Sequence, residues 1–149
     1  MDNKTIKITL DYVRGLVESK GCFTFCTAKS GRKIWKIPTF AIGMADGDGN
    51  LLSAVVNKLG LHNIVYIYKP RIRKDGYKRR GAAILMVRDL GQLKNIIVPL
   101  LYKRLVGNKG IQFENWIRKI DLDPDVPEGF SIISKLYKSG FYDKNNKFQ

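Results

Sequence analysis

The chain is expected to be one α+β domain in which helices pack on a single antiparallel sheet. Three observations carry that expectation. Apolar residues recur at helical spacing in some segments and alternate in others, and the order of segments is helix, two strands, helix, two strands, helix. Turn chemistry separates the paired strands. At 149 residues the chain has the size of one domain able to bury a core without disulfides or a structural metal. Residues 1–142 are read as that domain and 143–149 as a flexible tail.

In the first helix Leu10, Val13, Leu16 and Val17 repeat at three and four between Ile8 and Ser19, and Gly21 stops it. Cys22 to Lys29 and Ile34 to Ile42 alternate around the Ser30-Gly31-Arg32 turn and make a hairpin. Leu51, Leu52, Val55, Val56 and Leu59, closed by Gly60, make the second helix. The plan then repeats. Ile64 to Ile72 and Gly81 to Val87 are strands, and a helix runs from the N-cap candidate Asp89 through Leu101. A further helix covers Ile111 to Ile120, is broken by Asp123-Pro124-Asp125-Val126-Pro127, and is followed by a short one over Ile132 to Tyr137.

Charge narrows the partner class. Twenty-seven Lys and Arg against 13 Asp and Glu give a net charge of +14, and a field of that sign and strength attracts polyanions. Lys69, Arg71 and Arg73 alternate, hence share one side of an uninterrupted strand, and Lys74, Lys78, Arg79 and Arg80 extend the patch against Asp75 alone. A single lysine of this set is a solvated tip, whereas seven cations between positions 69 and 80 favour phosphate contact. No run approaches a membrane span, and Met1-Asp2-Asn3-Lys4 lacks the layout of a signal peptide, so the expected location is intracellular: cytoplasm, nucleoid or organelle matrix. Cys22, Cys26 and the single His62 fall short of a zinc ligand set.

The segment Val13-Arg14-Gly15-Leu16-Val17-Glu18-Ser19-Lys20-Gly21-Cys22-Phe23-Thr24-Phe25 resembles the signature of the LAGLIDADG homing endonucleases. It has glycine at the third and ninth motif positions, aliphatics at the fourth and fifth, an acid at the sixth, and a strand entry that alternates phenylalanine. Phe40, Ile42, Asp48, Leu51-Leu52 and Leu59-Gly60 are similar to the family's second strand and helix. Ile96 to Leu101 and Gly107-Asn108-Lys109 with Phe113 are similar to its third-helix region, so the resemblance covers residues 8 to 120. A second stretch, Ala41 to Gly49, has motif-like letters, but a strand precedes it and a helix follows. Its twelfth position from Asp46 is Asn57, which also excludes a calcium loop, leaving turn and helix-start chemistry for Asp46 and Asp48.

The resemblance implies an αββαββα domain with a saddle-shaped antiparallel sheet and C-terminal helices, and a metal-dependent DNA endonuclease encoded in a mobile intron or intein. A single motif copy implies a homodimer on a long, roughly palindromic duplex site, with Tyr12, Gly15, Leu16 and Ser19 at the interface. By the same resemblance Mg²⁺ is held by the eighth-position acid and nearby carbonyls, here Ser19 and the position occupied by Lys20. An ammonium cannot ligate a cation, so binding without efficient cleavage is expected. Lys109, with Lys103 as substitute, resembles the basic active-site residue, and Glu18 a structural carboxylate able to pair with Lys20 or a neighbour. The DNA-facing residues expected are Thr24, Cys26, Ala28, Ser30 and Arg32 on the first strand, Lys33, Trp35, Ile37 and Thr39 on the second, and Lys69, Arg71, Arg73, Lys78 and Arg80 on the second hairpin. Two alternatives on the same fold are a non-cleaving DNA-binding regulator and an intron RNA maturase.

Overall fold

A computed structural model describes residues 6–149. Helix α1 (Leu10–Lys20) begins at Thr9, whose hydroxyl accepts from the Tyr12 N–H at 3.0 Å, and it buries Val13, Arg14 and Val17. It ends at Gly21 with extended backbone. A Cβ at Gly21 would lie 2.7 Å from the Val17 carbonyl oxygen, so the close approach of the chain to its own last turn requires glycine there.

Strands β1 (Gly21–Ser30) and β2 (Lys33–Ala45) form an antiparallel hairpin around Gly31, whose φ of 61° suits glycine. Asp46–Asp48 make one 3₁₀ turn into α2 (Gly49–Leu59), which Gly60 closes at φ 71°. Asp48 sits at the start of this helix but makes no side-chain cap hydrogen bond. The second strand pair is shorter than the sequence suggests. Pro70 has no N–H to donate, and the expected strand from Ile64 to Ile72 is divided into β3 (Tyr66–Tyr68) and β4 (Arg71–Ile72). Strand β4 pairs with β5 (Lys78–Arg79) as a separate ribbon, and β6 (Ala82–Val87) returns to the main sheet.

That sheet has the order β1-β2-β6-β3, all neighbours antiparallel. Against one face packs α2 together with α3 (90–101), whose middle turn, Leu93–Ile97, widens to a π-helix just ahead of Pro99. The Asp89 carboxylate accepts from the Gln92 N–H at 3.0 Å, as its cap position predicts. Val13, Val17, Phe40, Ile42, Leu52, Val55, Leu85, Leu93 and Ile97 form the centre of the core. Helices α4 (Asn108–Leu122), α5 (Ser131–Ser139) and α6 (Phe141–Lys144) complete it through Phe113, Trp116, Ile117, Ile133 and Tyr142. Among the described residues no helix is long and apolar enough to cross a membrane.

Residues 143–149, expected as a flexible tail, fold back onto the domain instead. Phe148 is buried, Asn146 Nδ2 donates to the Pro99 carbonyl at 2.8 Å, and Gln149 Nε2 donates to the Tyr102 carbonyl at 3.1 Å. Arg14 ties this segment to α1, donating from Nε to the Leu100 carbonyl at 2.9 Å and from its guanidinium to the Phe148 carbonyl. Because the acceptors at Pro99, Leu100 and Tyr102 are backbone carbonyls left free where the helix ends at Leu101, the docking has no hydrophobic periodicity to announce it.

Candidate nucleic-acid interface and active site

Cross-strand partners in an antiparallel pair share a face. Phe23 opposes Phe40 and Ile42 opposes Leu85, which defines the core side. The other side therefore carries Thr24, Cys26, Ala28 and Ser30 from β1, opposite Thr39, Ile37, Trp35 and Lys33 of β2. It continues as Ala41 opposite Met86, Gly43 opposite Ile84, and Ala45 opposite Ala82, with Tyr66 and Tyr68 of β3 at the far edge. Arg32 is exposed in the turn.

Two of the expected contact residues are committed elsewhere. Thr39 is fully buried and its hydroxyl donates to the Ile37 carbonyl at 2.9 Å, so it is withdrawn from the surface by its own strand. Lys33 donates to Asp125 at 2.7 Å and lies 5.0 Å from the centre of the Trp35 ring. The neighbouring Lys36 reaches Asp123 at 3.1 Å.

The break at Pro70 alters the basic patch. Lys69, Arg71 and Arg73 do not share one side of a continuous strand, because β3 and β4 belong to different sheets. In the ribbon Arg71 opposes Arg79 while Lys78 opposes Ile72, so Lys78 takes the opposite face and Arg79 joins Arg71. Arg79, legible in the sequence only as part of the wider patch, becomes a leading residue through register. Arg73 turns to Asp75 at 3.6 Å and to the Tyr77 ring. Lys69, Arg71, Arg79 and Arg80, with Tyr68 and Ile84, line a concavity of about 620 Å³. Cations set side by side repel, and an anion between them relieves that repulsion, which suits the concavity to phosphate.

At the end of α1, Lys20 is exposed and makes no salt bridge among the described residues. Glu18 does not pair with it. Its carboxylate accepts from the Val106 N–H at 2.7 Å and from the Gly107 N–H at 3.1 Å, next to the first residue of α4. A carboxylate at a helix start is favoured by both the free N–H groups and the helix dipole. It fixes the first turn of α4, and with it half-buried Lys109, whose Nζ donates to Gln112 at 3.4 Å, against the end of α1. Lys103 is unsuited to the same role: it is drawn to Asp143 at 3.2 Å, which holds its pKa above the ordinary value. The Ser19 hydroxyl donates to the Leu16 carbonyl at 3.2 Å.

The residues at this end do not fit a divalent cation. An ammonium offers no lone pair, and among the described residues no three His, Cys, Asp or Glu side chains lie together. Asp46 belongs elsewhere, its carboxylate filling the space above Gly81, where a Cβ would meet it at 2.5 Å. One side of α1 is uncovered. Tyr12 is 48% exposed, a Cβ at Gly15 would meet nothing within 4 Å, Ser19 is exposed and Leu16 half-buried.

No protein-family model and no curated protein matches the sequence. Solved structures match the fold. The LAGLIDADG meganuclease I-CpaMI bound to uncleaved DNA is 17% identical, with a TM-score of 0.66 over 96% of this chain and 44% of its own. The I-LtrWI LAGLIDADG homing endonuclease bound to target DNA is 17% identical, at 0.62 over 100% and 48%. The homing endonuclease I-TnaI is 19% identical, at 0.59 over 93% and 99%. The chain thus spans about half the length of the two DNA-bound proteins and nearly all of I-TnaI. Helix α1 leading into an antiparallel sheet with one open face, backed by α2, α3 and the C-terminal helices, is the fold of the LAGLIDADG homing endonucleases.

Proposed function

We propose that the protein binds duplex DNA site-specifically as a homodimer and cleaves it weakly or not at all. The observation that carries the reading is the uncovered sheet face bordered by Arg32 on one hairpin and by Lys69, Arg71, Arg79 and Arg80 on the other. A face of this kind offers base contacts at its centre and phosphate contacts at its rim. Two copies meeting along the Tyr12, Gly15, Leu16 and Ser19 side of α1 would place two such faces about a two-fold axis, which selects a roughly palindromic target. Glycine at position 15 permits close helix approach.

Cleavage of a phosphodiester as the resemblance implies would call for acidic residues at the ends of α1 able to hold a divalent ion, which would supply Lewis-acid chemistry. With Lys20 at each end the dimer instead brings two ammonium groups together, and no catalytic step through a metal follows from these residues. Lys109, in the first turn of α4, would neutralise charge on a phosphate. Lys20 also favours the second reading, a DNA-binding regulator without nuclease activity.

The deciding experiment measures duplex binding and Mg²⁺-dependent cleavage of DNA selected from a random pool, for this chain and for Lys20→Glu. The expected outcome is tight binding by both, cleavage by Lys20→Glu alone, and a dimer in sedimentation. Equal cleavage by both would overturn the role given to Lys20. Cleavage by neither would favour the regulator.

A further inference from the structure

The open face is divided by chemistry in a way that bears on how a target is read. Beyond Trp35 toward the sheet centre, its two central strands, β2 and β6, present Ile37, Ala41, Gly43, Ala45, Ala82, Ile84 and Met86. None of these side chains carries a hydrogen-bond donor, and only the Met86 thioether is even a weak acceptor. Thr39, the one hydroxyl on this stretch of β2, is buried and spent on the Ile37 carbonyl. Groups able to hydrogen-bond lie outside this strip: Thr24 and Ser30 on β1, Trp35 and Lys33 toward the hairpin tip of β2, Tyr66 and Tyr68 on β3, and the rim cations.

Neighbouring strands are ~4.8 Å apart, so a central pair with its side chains fits the floor of a major groove ~12 Å wide, with the outer strands toward the phosphates. The only apolar group that a base pair displays on that floor is the C5-methyl of thymine. We propose, on the basis of the duplex-binding reading above, that the central strip selects its target by C5-methyl pyrimidines, with hydrogen-bonded readout confined to the outer strands and the tip of the first hairpin. A polar base edge pressed on this strip would lose water without gaining a partner, which adds discrimination against non-methylated steps. The same chemistry has a corollary, because 5-methylcytosine displays its methyl at the same place as thymine.

The test selects duplexes bound by the full chain from a random pool, then measures affinity for the selected sequence with each thymine replaced in turn by deoxyuridine. The expected result is a contiguous block of positions at which losing the methyl weakens binding about fourfold each, the worth of one buried methyl. At cytosines of that block, 5-methylcytosine strengthens binding by a similar factor. An Ala41→Gln variant, whose side chain can grip adenine, shifts the preference at one position of the block and leaves the melting temperature unchanged. Selective binding that is indifferent to deoxyuridine and 5-methylcytosine would overturn methyl readout and leave the duplex-binding reading standing. Failure to enrich any sequence from the pool would overturn both.

Discussion

The two hairpins of the sheet are held in different ways. The first pairs along ten residues and is strapped from behind. Trp116 Nε1 donates to the Thr24 carbonyl at 2.9 Å, the Lys36 N–H donates to the Asp125 carbonyl at 2.9 Å, and Asp125 and Asp123 bind Lys33 and Lys36. The second has three ladder pairs between β3 and β6, the break at Pro70, and a tip whose residues from 71 to 80 are all exposed. A braced hairpin keeps its side chains in fixed register, whereas a short exposed ribbon rich in cations has fewer contacts to hold it and, on the proposed reading, meets phosphates. The difference separates positioning of the sheet from attraction to it.

The largest effect comes from cutting the brace. Trp116→Ala removes a buried ring and leaves the Thr24 carbonyl without its partner, and is expected to cost about 3–5 kcal/mol in denaturant unfolding. Amide exchange should then quicken in β1 and β2 more than in β6; uniform acceleration would mean that the two hairpins are not independently held. The second region is probed by Arg71→Ala together with Arg79→Ala. Stability should change little, while the slope of log affinity against log salt falls by about 2. An unchanged slope would remove this ribbon from the phosphate contacts.

A finer probe uses pH. The Asp125 N–H, and then Lys36, hold the Asp123 carboxyl below its ordinary value. A depressed carboxylate contributes its full stability above the unfolded value, near pH 4, and that contribution disappears as pH falls through the lower folded value. Acidification through that window should therefore loosen the first hairpin's strap, and Asp123→Asn should abolish this pH dependence. The smallest effect belongs to Asp125→Asn, which frees Lys33 and should tighten non-specific duplex binding by less than about fivefold.

What the sequence made legible follows from the reach of each interaction. Val13 and Val17, or Phe23 and Phe40, carry their burial in local spacing, so α1 and the facing of β1–β2 are readable from the sequence, although the burial of Thr39 is not. With a period of two, one correct residue fixes a whole strand face. Glu18 is different, because its partners lie 88 and 89 residues away and are backbone N–H groups with no sequence signal. Lys33 looks like a free cation until Asp125 is brought beside it. Pro70 did carry a local signal, but the alternation of Lys69, Arg71 and Arg73 continued through it and suggested one strand where there are two.

Lys20 and Gly21 are adjacent residues under opposite constraints. The side chain at position 20 is exposed, whereas position 21 tolerates no Cβ without moving the last turn of α1. A lysine codon is a single nucleotide from a glutamate codon, so the charge at the end of α1 can be reversed by one mutation at an exposed position. Replacement of the glycine next to it would be removed by selection for folding itself. Substitutions at the two positions are therefore read by different measurements, the first by what the end of α1 binds and the second by whether the chain folds.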